Sequence, residues 1–246
     1  MRRLSPPILS SHLTSPPPLS FLAAATDCQI LAKAEFLSLG GSAKDRVARA
    51  IVDEAQATGA LTSGGTLVEA TAGSTGVSLA LVAKACGYGC LLVAADDTSE
   101  EKLKLIRSLG ATLELVQPAS VANPEAKERV ARRRADAMGA GSICCDQFDN
   151  LANMHAHGEG TGREIWEQTG GSVHAFVMGA GTGGTLAGVS RYLKARKPSM
   201  KAYLADPPGS ALHHRVGHGV LYTQQQQEWT AKRHRYDTVL EGVGCD

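Results

Sequence analysis

No apolar run in this chain approaches the ~20 residues that a membrane-crossing helix needs. Charge of one sign is also missing. The 25 lysines and arginines nearly balance the 24 aspartates and glutamates, and a net charge of +1 gives no reason to expect nucleic acid or an acidic surface as partner. The six cysteines (Cys28, Cys86, Cys90, Cys144, Cys145 and Cys245) contain no C-x-x-C pair and no secreted-domain framework, so they read as reduced thiols of an intracellular compartment. Adjacent Cys144 and Cys145 read as a pair at the end of a buried strand, with a redox pair as the alternative. The histidines cluster as His155 with His157, and as His213, His214 and His218. Neither group has carboxylate or cysteine companions at a metal spacing, and no metal is expected.

Glycine is abundant instead. Its 27 residues and a hydrophobic content of 43% suit an α/β protein with many tight strand–helix turns, and 246 residues allow one large domain or two small ones. Residues 1–26 stand apart: Arg2 and Arg3, many serines and prolines, and no acid before Asp27. The run Pro16-Pro17-Pro18 is expected to prevent a helix and the segment to pack poorly. It reads as a leader for a mitochondrion or plastid, or as a disordered extension; otherwise the cytoplasm is expected.

From Cys28 onward the pattern alternates. Strands are expected at 29–34, 66–70, 89–94, 112–116, 174–178 and 201–205, and helices at 44–58, 77–86, 99–109, 124–138, 153–169 and 186–196. The helix at 124–138 is rich in lysine and arginine, but interleaved Glu125, Glu128 and Asp136 make it a solvated face. Residues 215–237 read as a surface insertion and 238–244 as a return to strand and turn. This alternation predicts parallel sheets flanked by helices, with ligands at the carboxyl ends of the strands.

Three loops fall at such ends. Lys44 follows Gly40-Gly41-Ser42-Ala43 at a helix start, where the positive end of the dipole disfavours a free ammonium and favours a neutral amine able to form an imine. The stretch 179–185 joins strand to helix with three glycines, Thr182 and Thr185, and suits a phosphate. Gly179, Gly181 and Gly184 also match a dinucleotide fingerprint, with Asp206 after the next strand, so a nucleotide remains a rival for this loop taken alone. The stretch 71–76 supplies a second anion loop through Thr71, Ser74, Thr75, Gly73 and Gly76. A dinucleotide needs one such loop. A pyridoxal phosphate enzyme acting on an amino acid needs two.

At these residues the chain resembles the cysteine synthase and cystathionine β-synthase family of fold-type-II pyridoxal phosphate enzymes. The family's G-G-S-x-K-D-R stands at 40–46, its T-S-G-N-T-G loop aligns with 71–76, its Q-F-x-N with 147–150 and its G-T-G-G-T with 181–185. The resemblance implies a two-domain α/β fold like tryptophan synthase β, with an incomplete larger domain. It places a first segment of that domain at 27–36, a smaller domain at 37–150 and the rest of the larger one at 151–246.

It further implies that Lys44 forms the Schiff base and moves the Cα proton. Gly181, Thr182, Gly183, Gly184 and Thr185, with Ser74, hold the cofactor; Thr71, Ala72, Ser74, Thr75 and Gln147 hold the substrate carboxylate. The implied reaction is β-replacement of an activated serine by sulfide, performed by a homodimer; cystathionine β-synthase, another β-replacing or eliminating lyase, and a non-catalytic remnant are the alternatives. The chain departs from the family at Ser74, where asparagine is usual, and at Ser38-Leu39, where Asn-Pro is usual.

Overall fold

The computed structural model describes residues 13–14, 17–119, 123–208, 210–220 and 242–244. Residues 1–12 and 15–16 of the expected leader, 221–237 of the expected insertion, 238–241 of the expected final strand, and Cys245 lie outside them. The chain divides into two compact units, Met1–Ala156 and His157–Asp246.

The first unit opens with β1 (Leu13–Thr14), α1 (Pro17–Thr26) and β2 (Ala32–Lys33); β1 and β2 pair antiparallel. The helix α1 corrects the expectation that the prolines forbid one. Pro17 and Pro18 occupy its first turn, where the missing N–H groups would have had no intrahelical acceptor. β2 is also shorter than the strand expected at 29–34. After a 3₁₀ turn (Glu35–Leu37) come α2 (Lys44–Ala57), β3 (Thr66–Glu69), α3 (Ser74–Cys86), β4 (Gly89–Ala95), α4 (Glu100–Ser108), β5 (Thr112–Val116), α5 (Lys127–Met138), β6 (Ile143–Cys144) and α6 (Ala152–Ala156). α5 starts three residues after the expected Pro124, because Ala126 is still extended.

The four strands form one parallel sheet in the order β5-β4-β3-β6. β3 and β4 are central, and their alternating side chains feed two cores. Leu67 and Leu92 meet Val47, Ile51 and Val52 of α2 and Leu79 and Ala83 of α3. Val68, Leu91 and Val93 on the opposite face meet Val130, Ala131 and Ala135 of α5. Burial on both faces explains why these strands are almost continuously apolar. Each fully buried leucine or valine contributes about 2 kcal/mol through removal from water. Apolar residues on α2 recur at 47, 48, 51, 52 and 55, a single stripe at helical spacing.

Among the described residues five cysteines are free, including Cys90 on β4 and Cys145 just after β6, both buried. Burial pushes the Cys90 thiol up to about 12, Cys144 up to about 11 and Cys145 well above its ordinary value. Three arginines of α5 are tied to carboxylates: Arg134 to Glu114 at 2.7 Å, Arg133 to Glu125 at 3.0 Å, and Arg132 to Asp146.

The second unit begins inside a helical run. A π-helical turn (His157–Gly162) leads into α7 (Arg163–Gln168), followed by β7 (Ala175–Met178), α8 (Gly184–Arg196), β8 (Lys201–Leu204) and α9 (Leu212–His218). β7 and β8 form a two-stranded parallel sheet. α8 packs against both strands and against the π-helical turn, burying Val189 and Leu193. Val177 and Tyr203 of this sheet are exposed.

Gly65 shows how closely the first sheet is built. A β-carbon there would land on the Gly141 carbonyl, a backbone atom that cannot rotate away. Gly65→Ala is expected to lower stability by about 2 kcal/mol in urea unfolding. Thr58→Ala on the exposed helix end serves as the reference, with a change under about 1 kcal/mol.

Candidate active site

Lys44 is the first residue of α2, as its sequence context predicts. The turn before it is closed by Asp45. Its Oδ2 accepts from the Gly40 N–H at 2.7 Å, and its Oδ1 from the Ser78 hydroxyl at 2.5 Å, which ties the turn to α3. Gly41 reverses the chain at φ 71°, and the Ser42 hydroxyl accepts from the Lys44 N–H at 3.3 Å. Behind the lysine, buried Arg46 grips Glu35 with two parallel hydrogen bonds of 2.9 and 3.0 Å. Lys44 is half-buried, and burial pulls its amine below the usual lysine range. Desolvation, and not the helix dipole that the sequence suggests, is the cause.

The second loop leaves the carboxyl end of β3. Thr71 is buried, and its hydroxyl accepts from the Gly73 N–H at 3.1 Å. α3 begins at Ser74, three residues before the expected Val77, so Ser74, Thr75 and Gly76 form its first turn. First-turn N–H groups lack intrahelical acceptors, which makes this a better anion cradle than a loop alone. Thr75 is buried and donates its hydroxyl to Gln147 Oε1 at 2.6 Å. That bond fixes the Gln147 amide with its Nε2 hydrogens directed elsewhere. Ser74 is exposed, and a cavity of about 130 Å³ beside it is lined by Ala72, Gly73, Ser74, Val77, Lys102 and Leu105.

One residue that sequence reasoning passed over sits beneath this loop. Glu69 ends β3 with 3% of its surface exposed. Its Oε1 accepts from the Ala70 N–H at 3.0 Å and its Oε2 from the Gln147 N–H at 3.2 Å. Desolvation, only partly offset by those two donors, raises its carboxyl from 4.5 to about 7. The available signal was an acid closing an otherwise apolar strand.

The third loop lies in the second unit, between β7 and α8. Gly183 caps α8 in the left-handed conformation, and Gly184 and Thr185 form the first turn. Gly181 has no room for a side chain, since a β-carbon would meet the Gly242 carbonyl. The Gly244 N–H donates to the Ala180 carbonyl at 2.7 Å, holding 242–244 against the loop.

His157 carries no signal in the sequence beyond its nearness to His155. It is buried in the π-helical turn, with Nδ1 at 3.0 Å from the Thr161 hydroxyl and Nε2 at 3.1 Å from the Thr185 hydroxyl. It therefore fixes the rotamer of a loop threonine. Asp206 accepts from the His213 N–H at 2.7 Å, in the first turn of α9.

Lys44, Thr71, Ala72, Ser74, Thr75 and Gln147 thus belong to the first unit, and Gly181, Thr182, Gly183, Gly184 and Thr185 to the second. Among the described residues no group of side chains could hold a metal ion, and no helix is long and apolar enough to cross a membrane.

A lysine with a depressed amine, a helix-capped loop beside a buried glutamine and a glycine cradle at the head of a second helix are the parts of a carbonyl-cofactor enzyme. The chain belongs to the family described as pyridoxal-phosphate dependent enzymes, whose model matches residues 12–246. It is 44% identical over 233 residues to cysteine synthase 2 of Schizosaccharomyces pombe, a match covering 92% of this chain and 59% of that protein. With cysteine synthase 2 of Neurospora crassa it shares 47% identity over 236 residues, covering 92% of this chain and 52% of the relative. A solved structure of O-ureido-L-serine synthase superimposes with a TM-score of 0.70 at 35% identity, over 82% of this chain and 62% of that one. The fold is therefore the type-II fold of these enzymes. The chain spans little more than half the length of the curated relatives it matches.

The residues present fit pyridoxal phosphate. Burial lowers the basicity of the lysine amine, the direction an imine-forming amine needs, and at Gly181 the Gly242 carbonyl fills the space a side chain would take.

Two outcomes follow from this packing. Arg46→Ala leaves Glu35 without its bidentate partner and is expected to cost about 3 kcal/mol, read as a lowered urea midpoint. The raised carboxyl of Glu69 makes the folded state bind the extra proton. Its contribution to stability is fully present below about pH 4.5 and is lost as pH rises toward about 7. Urea midpoints measured across that interval are expected to fall less steeply in Glu69→Gln than in the natural chain.

Proposed function

We propose that this chain catalyses a pyridoxal phosphate-dependent β-replacement that makes L-cysteine from O-acetylserine and sulfide. The observation that carries this reading is Lys44: a half-buried amine of lowered basicity, at a helix head inside an unbroken Gly-Gly-Ser-Ala-Lys-Asp-Arg segment. The relatives named cysteine synthase support the choice of product.

When bound, the cofactor supplies an aldehyde for a lysine amine and a ring that withdraws electrons from the substrate Cα. Lys44 Nζ, released as a neutral amine, takes the Cα proton and later returns it. Thr71 and Ala72 of the loop and the first-turn N–H groups of Ser74 and Thr75 surround the substrate carboxylate, and Gln147 Nε2 adds a directed donor. Gly181, Gly183 and Gly184 offer backbone N–H groups to the phosphate, and Thr182 and Thr185 offer hydroxyls, with His157 orienting Thr185. The C–O bond to acetate breaks, the C–S bond to sulfide forms, and acetate leaves.

The working form is a homodimer, and the basic, acid-free N-terminus suits a mitochondrial or plastid address; gel filtration and localisation of a tagged chain check these two points. The chemistry is checked by absorbance. The purified chain with pyridoxal phosphate is expected to show the band of lysine-bound cofactor and to change it on adding O-acetylserine. Lys44→Ala is expected to lose the band, and a mutant that keeps it would refute the assignment. Trapping with serine and homocysteine, compared with O-acetylserine and sulfide, separates cystathionine β-synthase activity from this one.

A further inference from the structure

Among the described residues Glu69 is the one carboxylate buried this deeply, and both of its oxygens are occupied by backbone donors. One donor, Ala70, is the last step before the 71–76 loop. The other, Gln147, reaches that loop from the far side through its bond to Thr75. The Gln147 carbonyl is itself held by Asn153 Nδ2 at 2.9 Å. Glu69 therefore closes a ring of hydrogen bonds running from 69 through 70–75 to 147 and back.

Side-chain chemistry says why an acid stands there. Two N–H groups converge on this position and need two acceptors. An ionised carboxylate provides them, whereas a protonated acid or an amide has one good carbonyl acceptor and brings its own hydrogens. A buried acid held only for stability would be a poor choice, because its charge is costly to desolvate. Its surroundings do not relieve that cost. Cys144 of β6 and Cys145 just after it face it as protonated thiols, Asp146 beyond β6 and Glu128 on α5 oppose its ionisation, and Arg132 of α5 is engaged with Asp146. From β4 it meets Leu92, which does not titrate.

We propose that Glu69 is a positioning residue for amino-acid carboxylate recognition: ionised, it holds the 71–76 loop and Gln147 as one rigid receptor, and protonation releases one of its two N–H partners and slackens that receptor. This rests on the reading that the loop binds a substrate carboxylate. The consequence is an affinity for amino acids that weakens as pH falls through neutrality. Simple repulsion between Glu69 and the bound carboxylate would act in the opposite sense, so the direction of the change discriminates the two.

The first measurement needs neither cofactor nor activity. In the ¹⁵N-labelled full chain, the Gln147 backbone N–H resonance is expected to titrate with a midpoint near 7, and this transition is expected to vanish in Glu69→Gln. If that variant does not fold, the natural chain decides alone: no transition at Gln147 near neutrality overturns the proposal. In the second, the chain loaded with pyridoxal phosphate is titrated with L-alanine, which has no β-leaving group, and followed by absorbance. Affinity is expected to weaken about fivefold between about pH 8 and about pH 6, the loss of one hydrogen bond, with no such step in Glu69→Gln.

A common pH profile for both proteins, or tighter binding at low pH, would overturn the positioning role and leave the proposed function standing. No response to alanine at any pH, alongside a titrating Gln147, would instead sink the substrate reading and leave the Glu69 clasp intact.

Discussion

The structure of the first unit depends on the parallel pairing of β3 with β4 and β6. A parallel sheet buried on both faces sends every strand toward the same edge, so the loops that follow emerge side by side. The register of Val68 against Cys144 brings the end of β3 and the segment after β6 to one place. This is why Glu69 and Gln147, 78 positions apart in sequence, share a hydrogen bond. A slip of one residue would turn the strand over and move the carboxylate to the other face. The geometry of the Glu69 clasp is thus a by-product of strand register, and the helices on either side protect it by burying Leu67 and Val68.

Much of this was legible beforehand because the governing signals are local. β5 runs from Thr112 to Val116 as its apolar alternation indicates, and Lys44 heads α2 just after the chain reversal at Gly41, whose positive φ no helix accepts. The errors share one cause. Ser74, Thr75 and Gly76 look like loop residues by propensity, yet they are drawn into α3 where Thr71 and Gly73 cap its start. Pro17 and Pro18 looked like helix breakers, which they are anywhere but the first turn. The Glu69 clasp and the contact of His157 with Thr185 are long-range, and no spacing rule in one dimension exposes them. The π-helical turn that seats His157 is equally hidden, since a wider helical turn is chosen by what packs against it; here that neighbour is α8.

The two anion loops also reach their ends differently. That at 71–76 is stiffened by side chains: two threonine hydroxyls, a glutamine and an acid. The loop at 181–185 is held by main chain, with the Gly242 carbonyl pressed against Gly181, which admits no substituent, and the Gly244 N–H bonded to Ala180. A phosphate is symmetrical and tolerates a cradle of uniform N–H groups. A carboxylate attached to a chiral carbon needs donors that differ in direction, and side chains supply that difference. The chemistry of each ligand proposed here therefore matches the material of its loop.

The buried thiols acquire a meaning in this light. Cys90, Cys144 and Cys145 lie in or beside the central sheet, and each is held protonated by its apolar surroundings. A thiol kept from becoming a thiolate is a poor nucleophile. In a protein proposed to bring sulfide to an electrophilic carbon, these three sulfur atoms neither compete for that carbon nor readily form persulfides. The sheet that aligns the site also keeps its own sulfur chemically silent.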